Sequence, residues 1–472
     1  MDSESFPMVL DQKIALHLDI ILRCAIKTEK GIALMATLPD SRYPYVYPRD
    51  SACASQLLLG LSELDIADSD KAFSLLEGLA RFISSVQKED GFWGQRYGLG
   101  GEDKSIYKQE DNVAHGATIL GNYLLTCSKR NCEPREAPKY LSQIKKAVSF
   151  ALKNYYRKEI NLFFSTTSLH ESAIEKGYSI WVNHAYSRML NSVLQVAEVY
   201  GVKGIFDEEL KFKQGFCNNI HRLFIHGDRY IRRLTPQGFI DFRPDVTLLS
   251  PYYFKCRYHK CPRCMVEENS EKLDNTIAFV KNSLWDPELG MLQRYLPFTE
   301  DIDTHVHAGN GPWIAYTAIL AQYYYENGKK EKGDEIVNFV DQYKTKEGYF
   351  PEHLTTPERF TEFIEMEWQT GLDAKKEFHP EILLDNLPYD RIVEEIFNMK
   401  NSYNRIRKEV NGKIVFKLKS IHFAQPLMWA HAEYAKALLI KKATSFCHGK
   451  NGGDKGAIIK GINHLEKDRM VL

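Results

Sequence analysis

Apolar positions recur along this chain at helical spacing, in segments separated by short loops. The segments come in pairs whose two members differ in the same way each time. Residues 51–67 (SACASQLLLGLSELDIA), 112–128, 184–201 and 312–328 are apolar nearly all round. Their successors, 70–87, 138–156, 208–224 and 330–346, carry Lys and Glu along one side only. A helix apolar on every side must be buried, whereas a one-sided helix lies at a surface. Their alternation predicts an inner ring of helices wrapped by an outer one, an all-α (α/α) barrel of helical hairpins. The N-terminal segment and residues 424–443 add members at the two ends. Strand signals are sparse: YIRRLT with GFIDFR, and KIVFKLK, read as hairpins within loops.

No Gly-, Pro- or Ser-rich linker divides the chain, so residues 1–472 read as a single domain. That length exceeds the ~250–300 residues at which chains usually split, but a closed ring of hairpins can use it as one unit. The region from about 230 to 270 reads as a loop insertion. It holds CRYHKCPRC, whose Cys256, His259, Cys261 and Cys264 are ligand types zinc accepts. All four come from one short segment, and no metal is the favoured expectation. Nine cysteines, an odd number, read as reduced thiols in the absence of a secretory leader. The N-terminus starts acidic and lacks an uninterrupted apolar run, which predicts a cytoplasmic protein with no membrane span. Lys plus Arg and Asp plus Glu both number 62, which removes the electrostatic case for nucleic acid or an anionic membrane as partner.

The polar and aromatic clusters then fall into a pattern. RYPYVYPRD, YKQED, HESAIEKGYSIWVN, QRYLPF through GNGPW, and AQPLMW each stand just before an inner helix, with YFPEHL nearby in the chain. In successive hairpins all inner helices run the same way, so these segments gather at one end of the barrel. Helix N-termini there present unpaired N–H groups and a positive dipole end. The acidic candidates are Asp50, Asp111, Glu171, Glu175 and Glu352. Glu352 lies in a loop outside any helical charge pattern, free to face a cavity. Asp50 reads either as a helix cap or, with Arg49, as a fork of hydrogen bonds to a ligand, with the ring of Tyr47 alongside. Arg294 and Trp429 read alone as a surface charge and a core aromatic.

Taken in order, YPYVYPRD, QRYGLGG with YKQED, an apolar stretch ending in Glu, GMLQRY, GPW, GYFPEHL and PLMWAHAEY resemble the glucoamylase family, glycoside hydrolase family 15. The likeness spans about residues 40–440. It implies an (α/α)6 barrel without the β-sandwich many relatives carry, and inverting, exo-acting hydrolysis of α-glucosidic bonds, with an oligosaccharide or α-glucan as substrate and no cofactor. Inversion requires one protonated carboxyl and one ionised carboxyl that activates water. By position, the resemblance makes Glu352 the general base, Arg49 and Asp50 the pair that binds the terminal glucose, and Arg294 a substrate-binding arginine. It places Tyr47, Gln109, Asp111 and Trp429 in the pocket lining. The chain departs from the family at the acid, which a tryptophan normally precedes. Alignment on Trp181 leaves Val182 there and no acid. Alignment on Leu162 and GYSIWVN makes Glu171 the acid, with His170 in the place of the tryptophan, and Glu175 as its rival.

Other readings stay open. A trehalase or α-1,6-glucosidase would share this chemistry, and a barrel that only binds glycan or regulates a partner would share the fold. An unrelated α/α lyase or isomerase would need a base such as His170, His184 or Tyr186.

Overall fold

The computed structural model describes residues 11–64, 68–134, 136–167, 169–170, 176–207, 211–255, 269–296, 311–359, 408–410, 413–415 and 420–448. Its inner helices among these are α2 (Pro48–Ser62), α4 (Asn112–Lys129), α6 (Ile180–Val199), α8 (Ser250–Tyr253), α10 (Ile314–Glu326) and α12 (Met428–His448). The outer ones are α1 (Gln12–Arg23), α3 (Ser69–Ser85), α5 (Ala137–Asn154), α7 (Lys213–Phe224), α9 (Ser270–Leu284) and α11 (Lys330–Asp341). Inner neighbours pack in sequence order and α12 returns to α2, closing the ring, with α1 against α12 as its outer partner. This is the double ring of helices the periodicity predicts, with the (α/α)6 count that the family resemblance implies.

Burial follows composition. Every residue of α4 from Asn112 to Cys127 is buried, whereas α5 buries Tyr140, Leu141, Ile144, Ala147, Val148 and Ala151, a single stripe. Small residues let the inner helices approach closely: a Cβ on Gly121 of α4 would overlap the Ser192 hydroxyl of α6. Cys24, Cys53 and Cys127 are buried free thiols that pack as small apolar groups. No helix among the described residues is long and apolar enough to cross a membrane.

Both sequence-predicted hairpins form short ladders, Arg233–Leu234 with Ile240–Asp241 and Lys408–Val410 with Lys413–Val415. Within the 230–270 stretch, a 3-10 turn at Val246–Leu249 runs straight into α8, and all eight residues are buried. This stretch therefore supplies part of the inner wall. The cysteine cluster, Cys256 to Cys264, lies outside the described residues.

Loops at one end of the barrel are tied to each other by backbone bridges. Asp245 pairs with Tyr295, Gln293 with Pro312, Trp313 with His353, and His353–Thr355 with Ile421–Phe423. This lattice crosses the N-terminal ends of α8, α10 and α12, where the polar and aromatic segments collect. Gly311 is required within it, because a Cβ there would overlap the Leu354 carbonyl.

Candidate active site

The site starts from two buried arginines. Arg49 occupies the first turn of α2, with Pro48 fixing the helix start. Arg294 lies between Gln293 and Tyr295, each of which is bridged to a different loop, so its backbone is held on both sides. Their exposures are only 5 % and 6 %, and buried cations need acceptors. Both donate to one backbone carbonyl, that of Leu169, Arg49 Nη1 at 3.1 Å and Arg294 through Nη2. Gln109 turns its amide oxygen to Arg49 and accepts from Nη1 and Nη2, the latter at 3.1 Å. Segments 60 to 245 residues apart in sequence thus meet at the residue preceding His170 and Glu171.

Glu352 reaches the same end by another route. Its N–H donates to the Phe423 carbonyl at 2.9 Å, and its own carbonyl accepts from Ile314 N–H, the first residue of α10, at 3.3 Å. The carboxylate is 14 % exposed and one oxygen lies 3.5 Å from His353 Nδ1. That oxygen, Oε2, is buried and accepts no hydrogen bond. The His353 ring is stacked between Trp313 (5.0 Å, 14°) and Phe423 (4.4 Å, 2°). Trp313 in turn lies beneath the Arg294 guanidinium, 4.7 Å from the ring centroid. A continuous stack therefore couples the positions of Arg294 and Glu352.

The remaining sequence-predicted residues fall around this centre. Asp50, next to Arg49, is buried in the first turn of α2. Tyr47 precedes that helix and accepts from Arg96 Nη1 at 3.2 Å. Asp111 precedes α4, and its Oδ2 accepts from the Trp181 indole N–H at 3.2 Å with His115 Nε2 at 3.1 Å, while Oδ1 is buried without a partner. Trp429 donates to Glu433 at 3.2 Å and meets Tyr316 edge-on, one ring away from Trp313. Glu171 and Glu175 lie outside the described residues. His184 sits 3.1 Å from Ser250 Oγ, whereas Tyr186 donates to the Glu110 carbonyl at 2.7 Å. Burial pushes that phenol's pKa well up, so Tyr186 is poorly suited to act as a base.

Sequence reasoning did not reach Glu110, Asp245 or Glu433. Glu110, beside Gln109, is buried and receives Thr166 N–H at 2.8 Å and Thr167 Oγ at 3.0 Å, holding a segment two residues before Leu169 in the chain. Burial raises its carboxyl pKa against these donors. His170 Nε2 lies 2.7 Å from Asp245 Oδ2, which also receives Arg232 at 3.3 Å, and Asp245 Oδ1 accepts Thr247 N–H at 2.7 Å. Burial would raise the Asp245 pKa, but His170, Arg232 and the Thr247 amide together hold that carboxyl well below the usual carboxylate range. Deeper in the barrel, fully buried Glu433 accepts from Tyr253, Gln322, Trp429 and Lys436. A signal for that cluster was available: Glu433 and Lys436 are charges three apart within the largely apolar stretch 428–440 of an inner helix.

The fold is an (α/α)6 barrel of the glucoamylase-like kind. Particular solved structures share it. A glycosidase variant in complex with glucose aligns with a TM-score of 0.56 at 14 % identity, over 92 % of this chain and 99 % of that one. A bacterial glucoamylase complexed with acarbose aligns at 0.59 and 16 %, over 92 % of this chain and 56 % of that one. The glycoside hydrolase family 15 glucoamylase from Hypocrea jecorina aligns at 0.55 and 15 %, over 92 % and 72 %. No protein-family model matches the sequence, nor does any curated protein.

Proposed function

We propose that this protein is an inverting, exo-acting glycoside hydrolase that releases glucose from the non-reducing ends of α-glucans or short α-glucosides. Glu352 acts as the general base and Glu171 as the general acid. Arg49, Asp50 and Arg294 bind the terminal sugar, and Tyr47, Gln109, Asp111 and Trp429 complete the wall. The observation that carries the reading is the Glu352 carboxylate. In a fold shared with glycosidases, it sits at the barrel end where the two arginines converge, with one buried oxygen that accepts nothing from the protein. Buried polar atoms are nearly always paired. A water activated for attack on a sugar would supply the missing donor, and a base needs that geometry.

The test is incubation with maltose, isomaltose, trehalose and soluble starch, with the anomer of released glucose followed by NMR. β-Glucose released first supports inversion, and the preferred substrate separates a glucoamylase from a trehalase or an α-1,6-glucosidase. Glu352→Gln keeps the shape and removes the base, so turnover falls about 10²–10⁴-fold with binding largely kept. Binding of these sugars with no hydrolysis would replace the reading with a glycan-binding barrel. Release of the α-anomer would refute inversion.

A further inference from the structure

His170 is 2 % exposed, and its two ring nitrogens are in opposite situations. Nε2 faces Asp245 Oδ2 at 2.7 Å. A carboxylate only accepts, so Nε2 carries the hydrogen. Asp245 is itself fixed, by Arg232 on the same oxygen and by the Thr247 N–H on the other. Burial depresses the imidazole to about 4 in spite of Asp245, with Arg294 and Arg232 adding to the effect, so the ring is neutral. Nδ1 is then a lone pair, buried and without any hydrogen-bond partner in the protein. An acceptor left in that state is costly, and a functional site is one of the few explanations for its retention.

The surroundings show what partner this lone pair suits. His170 immediately follows Leu169, on whose carbonyl Arg49 and Arg294 converge. The Tyr295 ring meets the imidazole edge-on at 4.8 Å, which holds the ring plane without supplying a donor to Nδ1. The missing group must be an uncharged donor, because a cation would join two guanidiniums already present, and hydroxyl groups are what a saccharide brings.

We propose that His170 is a specificity-determining residue, with Nδ1 accepting a hydrogen bond from one hydroxyl of the bound saccharide and Asp245 fixing the tautomer that leaves this nitrogen free to accept. The proposal rests on the glycosidase reading for its substrate class. On the same reading, with Glu171 as the acid next in the chain, the hydroxyl that His170 reads belongs to a sugar at the bond to be cleaved. This neutral contact selects on hydroxyl position, where an apolar ring would select on shape.

The test compares the wild type with His170→Phe, which keeps a ring against Tyr295 and leaves Asp245 with Arg232 and Thr247. Both are assayed on α-glucosides and maltose analogues deoxygenated one position at a time. The wild type loses about tenfold in kcat/KM at one position, and that penalty disappears in His170→Phe while the others persist. Identical penalty patterns in the two proteins overturn the proposal. A second measurement does not depend on turnover. In wild-type protein labelled with ¹⁵N-histidine, the His170 signal, assigned by its loss in the variant, has the Nε2–H tautomer, and its Nδ1 resonance moves on titration with maltose. A Nδ1 resonance indifferent to maltose, as when a buried water satisfies it, refutes the proposal even if hydrolysis is observed. A maltose-dependent shift without hydrolysis supports the contact and places the failure in the catalytic reading.

Discussion

Acid should loosen this protein at a joint between its first and last helices. His17 of α1 and His431 of α12 face each other with their Nδ1 atoms 2.7 Å apart, and both are buried. The Phe350 N–H donates to His431 Nε2 at 3.0 Å, so that nitrogen is an acceptor and the His431 hydrogen sits on Nδ1. His431 therefore donates to His17, and the pair holds one hydrogen where two would collide. Phe350 stacks on both rings, at 5.1 Å from each, and Tyr434 meets His17 edge-on. Burial lowers His17 to about 4, with nearby Asp341 opposing and Lys344 and Lys13 adding to the depression. Burial takes His431 well below its ordinary value too.

The unfolded ring takes a proton near pH 6.5 while the folded His17 resists until about 4. The unfolded state therefore binds more protons in that window, and stability falls as pH drops through it. At about 1.4 kcal/mol per pH unit, His17 alone removes roughly 3 kcal/mol by pH 4. His17→Phe keeps the stack on Phe350 but strands the His431 Nδ1–H, at a cost of about 1–3 kcal/mol at neutral pH. It also removes one titrating ring, so the difference from wild type shrinks on acidification and the two curves converge or cross near pH 5. Urea unfolding midpoints from pH 4 to 7.5, read by tryptophan fluorescence, measure both curves. Parallel curves would refute the assignment of this acid sensitivity to the pair.

Three other outcomes follow from the geometry. Glu171→Gln should be severely impaired on maltose yet partly spared on α-glucosyl fluoride, whose leaving group needs less protonation; if Glu175→Gln shows that pattern instead, the acid is Glu175. Gly311→Ala, which forces a Cβ into the Leu354 carbonyl, should lower stability by about 1–3 kcal/mol in thermal or urea melts, and kcat should fall because the displaced strand begins one residue after Glu352. Glu433→Ala leaves Lys436 buried without its carboxylate at 2.9 Å and should cost about 3–5 kcal/mol; Glu433→Leu with Lys436→Met in the same chain should recover much of that loss, and an equal loss in the double variant would argue against charge pairing as the cause.

The ring was legible because each inner helix spreads its apolar residues around the whole circumference and each outer helix confines them to one stripe. The same logic covers α9, where Leu273, Ile277, Val280 and Leu284 are buried at helical spacing. Its inner partner α8 escapes such reasoning, because four residues, Ser250–Tyr253, make barely one turn and show no period. For that reason residues 230–270 resemble an insertion in sequence although Val246–Tyr253 is buried in the wall. Arg49 and Glu352 were legible as candidates from their segments and Gln109 and Arg294 only through the family resemblance, yet nothing local says that the two arginines would converge on the Leu169 carbonyl. The His170–Asp245 pair was invisible for a physical reason: its members are 75 residues apart and are brought together by loop bridges whose register no single segment encodes.

Charge within the site narrows what it can hold. Arg49 and Arg294 bring two cations to a region where burial makes unpaired charge expensive. Asp50, Asp111 and Glu352 bring carboxylates to the same end of the barrel, and Arg232 is already matched to Asp241 and Asp245 at 3.1 and 3.3 Å. The arginines spend hydrogen bonds on a neutral carbonyl and a neutral amide. A phosphate or carboxylate ligand would have to draw them away from these acceptors and approach the carboxylates beside them. Among the buried polar atoms that lack a hydrogen-bond partner, Oδ1 of Asp111, Nδ1 of His170 and Oε2 of Glu352 are acceptors. A ligand that meets acceptors of this kind without adding charge brings hydroxyl donors, which is what the proposed saccharide substrate would supply.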